Sequence, residues 1–148
     1  MSAQLRLKVP ETEQELEDWR HVHNTVIPTH ELSPADVRSR VERHHVLIAY
    51  LGEVAIGSTT VRPPSEESAA VTVIARVLTE HRRLGFGTQL YEHALAQARE
   101  LDADAVIETV VLSSNDEGLR FAEHHGFVET ERYVLDGETV PWIDLRLA

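Results

Sequence analysis

Two glycines in an arginine-containing turn make residues 82–88 the stretch of this sequence best suited to binding an anion. The turn reads Arg-Arg-Leu-Gly-Phe-Gly-Thr and lies between an apolar run at 71–78 and an amphipathic pattern at 88–101. Gly85 and Gly87 have no Cβ, so the backbone can approach a ligand closely, and the free N–H groups of the first helical turn face the same point. Arg82 and Arg83 add positive charge. The pattern predicts a nest of backbone amides for a multi-oxygen anion such as a pyrophosphate.

The glycine turn differs from two better-known phosphate-binding loops. The sequence contains no G-x-x-x-x-G-K-[ST] motif, which excludes a P-loop. Leu90 stands at the third glycine position of a dinucleotide fingerprint, and residues 79–82 separate the preceding strand from the glycines. Taken alone, the turn is equally compatible with a plain helix start that contains two glycines.

A second motif follows the glycine turn at a specific distance. Arg82-x-x-Gly85-x-Gly87 comes five residues after Val77, which ends an apolar run, and an amphipathic helix pattern follows. After another apolar run at 105–112 come Asn115 and the segment Phe-Ala-Glu-His-His-Gly-Phe at 121–127. Together, residues 71–127 resemble the acyl-CoA-binding signature of the GNAT superfamily of N-acetyltransferases.

The resemblance implies acetyl-CoA as co-substrate and assigns its contacts to named residues. Backbone groups of Val77, Leu78 and Thr79 would bond to the pantetheine arm and the thioester carbonyl, with the N–H near Val77 as oxyanion donor. Asn115 and Phe121 would border the same arm. The pyrophosphate would lie on the turn formed by Arg82, Arg83, Leu84, Gly85, Phe86, Gly87 and Thr88.

The sequence departs from the family pattern at both positions that handle protons. An alkyl amine with a pKa near ~10.4 must lose a proton before it attacks, whereas a thiol with a pKa near ~8.5 leaves with less help. Ala122 stands where the family often has a tyrosine general acid, judged by its spacing from Gly126. The strand at 71–77 carries no carboxylate, although many members have a glutamate base there.

Glu108 and Tyr133 are the remaining candidates for catalysis. Glu108 lies on the next predicted strand and is the carboxylate that we predict as base. Tyr133 is the phenol that we predict as general acid. Each also has a plainer interpretation, as a salt-bridged strand residue and as a core tyrosine. The histidine pairs at 44–45 and 124–125 lie in no H-E-x-x-H motif, so we expect solvated side chains and no metal site.

Length and composition indicate one acidic globular domain spanning residues 1–148. Apolar residues make up 42% and charged residues 26% of the chain, and there is no cysteine to form a disulfide or a thiolate. The 14 lysines and arginines against 25 acidic residues give a net charge of −11, which disfavours nucleic acid or an anionic membrane as partner and favours a cationic substrate. No apolar run approaches the ~20 residues of a membrane span. We therefore expect a cytoplasmic monomer or homodimer.

Hydrophobic periodicity predicts the elements that position these residues. The predicted strands are 5–9, 46–50, 54–61, 71–78, 105–112, 127–135 and 140–147, and helices are predicted to begin at Thr12, Ser33, Thr88 and Ser114. This order indicates an α+β fold: a single central, mostly antiparallel mixed sheet of about seven strands with helices on both faces, as in the GNAT fold. The strands on either side of the glycine turn would have to part to admit the cofactor.

The sequence therefore predicts an N-acetyltransferase that moves an acetyl group from acetyl-CoA to a primary amine of a small molecule or peptide. The alternative is a catalytically inactive acyl-CoA-binding protein of the same fold, favoured by Ala122 and by the missing carboxylate.

Overall fold

The computed structural model describes residues 4–148 and contains seven strands and four α-helices. The strands are β1 (Arg6–Lys8), β2 (His45–Leu51), β3 (Val54–Arg62), β4 (Val71–Val77), β5 (Ile107–Leu112), β6 (Phe127–Tyr133) and β7 (Trp142–Leu147). The α-helices are α1 (Glu13–Val26), α2 (Pro34–Arg43), α3 (Phe86–Leu101) and α4 (Asp116–His124). A short 3₁₀ turn, Thr79–His81, follows β4. The order of strands and α-helices along the chain is the predicted one.

The strands form one sheet in the order β1-β2-β3-β4-β5-β7-β6. All neighbouring pairs are antiparallel except β4 and β5, which run parallel. One face packs on α3 and α4, which bury Tyr91 and Ala122, and the other face packs on α1 and α2, which bury Trp19 and Val37. This confirms the predicted mostly antiparallel mixed sheet with helices on both faces. Within residues 4–148, no helix combines the length and apolar character that crossing a membrane requires.

β4 and β5 are neighbours for only a short distance. Their register contains two residue pairs, the second of which joins Thr72 to Glu108. Beyond that pair β4 continues to Val77 and β5 continues to Leu112 without pairing to each other. Parallel strands normally satisfy each other's backbone groups, so their separation opens the centre of the sheet. The structure thus contains the gap that the resemblance implied beside the glycine turn.

Side-chain caps fix where α1, α2 and α4 begin, whereas α3 begins after Gly85 without one. The helices predicted from Thr12 and Ser33 begin there, each with a capping box: the Thr12 hydroxyl accepts from the backbone N–H of Glu15 at 3.1 Å, and Ser33 does the same for Asp36 at 3.1 Å. The predicted cap of the last helix was wrong by one residue, because Asn115 rather than Ser114 is its N-cap. The helix predicted from Thr88 begins two residues earlier, at Phe86.

His23 connects α1 to the interior of the protein. Its side chain is 2% exposed, stacks on Trp19 with ring centroids 5.9 Å apart, and places Nδ1 3.0 Å from the Asn24 side-chain oxygen. Burial, together with the positive charge of Arg76, lowers the pKa of His23 to about 4. The imidazole is therefore neutral in the folded protein at neutral pH.

We predict that His23 makes the protein less stable in acid. Because its pKa is lower in the folded state than the ordinary value of 6.5, the unfolded chain binds its proton first as the pH falls, and stability is lost between about pH 6.5 and pH 4. The shift corresponds to about 3 kcal/mol. When the free energy of unfolding is measured in urea from pH 7 to pH 4, His23→Phe should remove about 3 kcal/mol of its loss with falling pH. The exposed neighbour His21 is the control. If the free energy of unfolding changes with pH equally in His21→Phe and His23→Phe, the prediction is contradicted.

Candidate active site

A cleft of about 520 Å³ occupies the gap between β4 and β5. Val26 and Ile27, at the end of α1, line it on one face of the sheet. The glycine turn, the start of α3 and the inner side of α4 line it on the other face. The cleft therefore reaches both faces, so a ligand on the α3 side can meet a second ligand on the α1 side.

The glycine turn presents a run of unpaired backbone amides to the cleft. Within residues 4–148, the six N–H groups of residues 83–88 donate no hydrogen bond, and the first N–H of α3 to do so is that of Gln89, to the carbonyl of Gly85. Arg83 and Gly85 have left-handed backbone angles, with φ of 65° and 84°. This alternation turns successive amides toward a common centre, which is the geometry of an anion nest at a helix N-terminus.

The side chains of the turn contribute unequally to this site. The Arg82 guanidinium donates to the carbonyl of Val77 at 2.9 Å and to the Glu117 carboxylate at 3.1 Å, so it ties the turn to β4 and α4 while part of its charge is neutralised. The Leu84 side chain is exposed and the Phe86 side chain is buried in the core. Leu84 and Phe86 can therefore contribute only backbone groups to an anion.

The end of β4 directs backbone groups into the gap. Gly57 of β3 opposes Val77, and the N–H of the next residue, Leu78, donates to the Ile56 carbonyl at 2.8 Å. Because backbone groups alternate in direction along a strand, the N–H of Val77 points away from β3 and toward the gap. The expectation for Leu78 needs correction, since its N–H is already bonded to β3. The Thr79 carbonyl accepts from the N–H of Arg82 at 3.2 Å.

Asn115 and Phe121 both line the cleft. The Asn115 side chain accepts from the N–H of Gly118 at 3.0 Å, and a Cβ on Gly118 would lie only 2.5 Å from the Asn115 amide nitrogen. Only glycine at 118 leaves room for this cap. A Cβ on Gly87 would lie 3.2 Å from the Phe121 ring, so the turn and α4 are in close contact. The two motifs of the sequence thus lie together along one cleft.

Ala122 and His125 both line the cleft near the end of α4. Ala122 is buried at 3% exposure and lines the cleft without any group that could give a proton. His125 lies one helical turn beyond Phe121, with Nδ1 2.8 Å from the Phe121 carbonyl and Nε2 3.4 Å from the Thr88 hydroxyl. The expectation that it is a solvated surface histidine was wrong, because it is partly buried in the cleft wall.

Glu108 lies at the closed end of the cleft. It faces Thr72 across the last β4–β5 pair and Arg146 across β7, and its carboxylate is 3.8 Å from the Arg146 guanidinium. The walls of the cleft begin at the next residue, Thr109. Thr72, which Glu108 opposes, precedes Val77 on β4 by five residues, about 16 Å, so a carboxylate here would reach an amine near Val77 only through a chain of waters.

Tyr133 is held away from the cleft by Asp144. Its hydroxyl donates to the Asp144 carboxylate at 3.0 Å, and burial and this hydrogen bond raise its pKa to about 12. Its ring packs in a small cluster with Ile27 and Leu112, both of which line the cleft. Tyr133 therefore lies one layer behind the wall on the α1 side.

The sequence reasoning missed Arg76. It is the single charged residue of β4, its side chain is 8% exposed, and it lines the cleft. A charge within an otherwise uncharged central strand was the signal available in the sequence. Among residues 4–148, no group of three or more His, Cys, Asp or Glu side chains could hold a metal ion.

Comparisons with known proteins give one family and a common fold. Residues 9–127 match the sequence model described as the acetyltransferase (GNAT) family. A search among curated proteins finds no match. The chain is similar in structure to the ribosomal-protein-S18-alanine N-acetyltransferase of Escherichia coli, with a TM-score of 0.74 at 17% identity over 97% of this chain and 93% of that one.

Two further solved structures share the fold. The Salmonella typhimurium protein yncA, solved with its cofactor acetyl-CoA, has a TM-score of 0.74 at 15% identity over 97% of this chain and 92% of that one. Arabidopsis thaliana Naa50, solved with the bisubstrate analogue CoA-Ac-MVNAL, has a TM-score of 0.70 at 19% identity over 95% and 97%. At these identities the likeness concerns the fold.

We predict that CoA affinity depends on the backbone of the glycine turn. Gly87→Val should push against Phe121 and displace the amides, and the loss of one charge-assisted hydrogen bond, about 1.5–3 kcal/mol, corresponds to roughly a 10- to 100-fold weaker Kd. Arg82→Ala should weaken binding less, because the amides remain. Titration calorimetry with CoA measures both.

Gly52→Ala is the control for a strained glycine substitution outside the cleft: Gly52 lies in the β2–β3 turn with a φ of 65°, which an alanine adopts at a cost, and a Cβ added there would have no atom within 4 Å. Circular dichroism establishes that each variant is folded. Unchanged CoA affinity in a folded Gly87→Val protein would show that the turn is not the phosphate site.

Proposed function

Since the chain belongs to the acetyltransferase (GNAT) family, we propose that it transfers an acetyl group from acetyl-CoA to a primary amine of a small molecule or peptide. The observation that carries the proposal is the gap between β4 and β5 that ends at six unpaired amides. The gap has room for an extended arm, and the amides supply the donors that a pyrophosphate needs.

The turn and the start of α3 bind the donor. Amides of residues 83–88 hold the pyrophosphate, while Arg82 keeps the turn against β4 and α4 through its bonds to Val77 and Glu117. Asn115 and Phe121 border the arm on the α4 side. The bonds made by Arg82 and the cap made by Asn115 are present without ligand, so little ordering is required on binding.

The reaction requires that the amine be positioned beside the thioester and that one hydrogen bond stabilise the oxyanion. Bound acetyl-CoA supplies an activated thioester carbonyl. The neutral amine attacks that carbonyl from the α1 side of the cleft, the Val77 N–H stabilises the developing oxyanion, and the C–S bond breaks to give a thiolate and the amide. The proton lost from the amine passes to a base or to water.

The proposed proton groups are Glu108 and Tyr133. Glu108 accepts the amine proton through water from the closed end of the cleft. Tyr133, protonated because burial and the hydrogen bond to Asp144 raise its pKa, donates toward the α1 side only if its bond to Asp144 is released. A thiolate needs less help in leaving than an amine needs in deprotonation, so the base matters more.

We predict that Glu108→Gln preserves the fold and CoA binding but lowers turnover by about 10²–10⁴-fold, the usual cost of losing acid–base catalysis. The rising limb of the pH–rate profile should shift to higher pH, because deprotonation of the amine then depends on bulk water or hydroxide. Steady-state kinetics at saturating acetyl-CoA measure both effects.

The exposed turn residue Glu53 gives the matched control, Glu53→Gln. If Glu108→Gln behaves like wild type, the base is not Glu108, and catalysis depends on proximity and the Val77 N–H.

The second candidate is an acyl-CoA-binding protein that has lost catalysis, which Ala122 favours because it leaves the usual tyrosine position without a proton donor. A thiol-release assay with acetyl-CoA over a panel of amines separates the two. Binding of CoA without turnover of any amine would favour the binding protein.

A further inference from the structure

Arg76 is a buried cation that has no anionic partner among residues 4–148. Its side chain extends from β4 on the α1 side, because Val73 and Val77, at odd positions of the same strand, pack on the α3 side. Among residues 4–148, no carboxylate lies within 4.0 Å of its guanidinium and no side-chain hydrogen bond from it is present. A buried charge without a partner is strongly unfavourable.

The neighbouring positive charges further disfavour the charged form of Arg76. Burial, and then the positive charges of Arg62 and Arg40, lower the pKa of Arg76 to about 9. Burial also lowers the pKa of Arg62, and the buried Nε of Arg62 has no hydrogen-bond partner among the described residues. Asp144 and Tyr133 are near enough to favour the charged form of Arg62 but form no ion pair with it.

Arg76 lines the cleft, and Arg62 lies on the same face of the sheet outside that lining. Arg62 pairs with Thr72 and Ser58 pairs with Arg76 across β3 and β4, so both arginines project from the same face, four residues apart along the ladder. At 3.3 Å per residue this is about 13 Å between backbones, a distance that two extended arginine side chains can bridge around a small anion.

We propose that the acceptor amine carries a carboxylate, which Arg76 binds with help from Arg62 on the α1 side of the cleft. The inference rests on the proposed acetyl transfer and names its substrate class: a free amino acid, or a peptide with an acidic side chain near its amino terminus. The positive field is local, since the whole chain carries a net charge of −11. To the cationic substrate that the net charge favours, it adds a negative group on the same molecule.

The phosphates of CoA do not explain these arginines. The unpaired amides for an anion lie on the α3 side, while Arg76 projects on the α1 side. The helix N-termini on the α1 side are closed by their own capping boxes, so no backbone nest there favours a phosphate. A guanidinium fork without backbone donors matches a carboxylate in shape and charge.

The test uses pairs of acceptors that differ only in the carboxylate. Free α-amino acids are compared with their α-carboxamides, and tripeptides with Asp or Glu after the first residue are compared with their Asn or Gln counterparts. The wild type should show about a 10- to 100-fold higher kcat/KM for the carboxylate member, mainly through KM. Arg76→Met should bring this ratio close to one, and Arg76→Lys should retain part of it.

Two controls separate a binding role from a structural one. Arg38 is exposed on α2, and Arg38→Met should leave the ratio unchanged. Arg76→Met should also raise the Tm of the free protein, because it removes an uncompensated buried charge. A lower Tm with an unchanged ratio would show that Arg76 only stabilises the fold, and the proposal would be wrong.

Thermal shift in the presence of CoA tests carboxylate binding even if no acceptor is acetylated. Carboxylate members should raise the Tm of the wild type and not that of Arg76→Met, whereas carboxamides should raise neither. If this pattern appears without acetylation, the carboxylate site stands and the proposed activity fails. If the carboxamide acceptors are bound and acetylated as well as the carboxylate acceptors, the proposed activity is supported and the carboxylate site is refuted. A larger carboxylate effect with the free amino acids or with the peptides shows which of these two kinds of acceptor supplies the carboxylate.

Discussion

The early end of pairing between β4 and β5 is the constraint on which the rest of the site depends. After Thr72 and Glu108, the two strands no longer share hydrogen bonds, although both continue for several residues. Backbone groups at the end of β4, including the N–H of Val77, are left facing a cleft instead of a partner strand. The sheet therefore offers donors at its centre that an intact parallel pair would have used.

Because the cleft opens on both faces of the sheet, its two sides can bind different ligands. On the α3 side, the backbone of the glycine turn provides donors without the flexibility of long side chains, and Arg82 fixes the turn through Val77 and Glu117. On the α1 side, Arg76 supplies a charge from a rigid central strand. An acidic protein thus holds a positive field at a place where its interior meets the cleft.

The same geometry explains how catalysis could proceed with few proton-transfer groups. Ala122 offers no donor, and the Tyr133 hydroxyl is bonded to Asp144. Glu108 lies at the closed end of the cleft, beside Arg146. The groups held most firmly belong to the backbone: the Val77 N–H and the amides of the turn. A site of this kind relies mainly on holding the reactants together and stabilising the oxyanion, both of which preorganised backbone groups do well.

The sequence by itself determined the order of elements, the helix starts at Thr12 and Ser33 and the turn at Gly85 and Gly87, because these depend on local spacing and backbone conformation. It also indicated through the resemblance that two strands must part. Only the tertiary structure decided what faces the cleft. In the sequence Arg76 is marked only as the one charge of its strand, and the fold places both Arg76 and His125 in the cleft wall. The N–H of Leu78 is not free for a ligand, because it donates to β3. Burial and cross-strand bonding join residues distant in the chain, which local patterns do not encode.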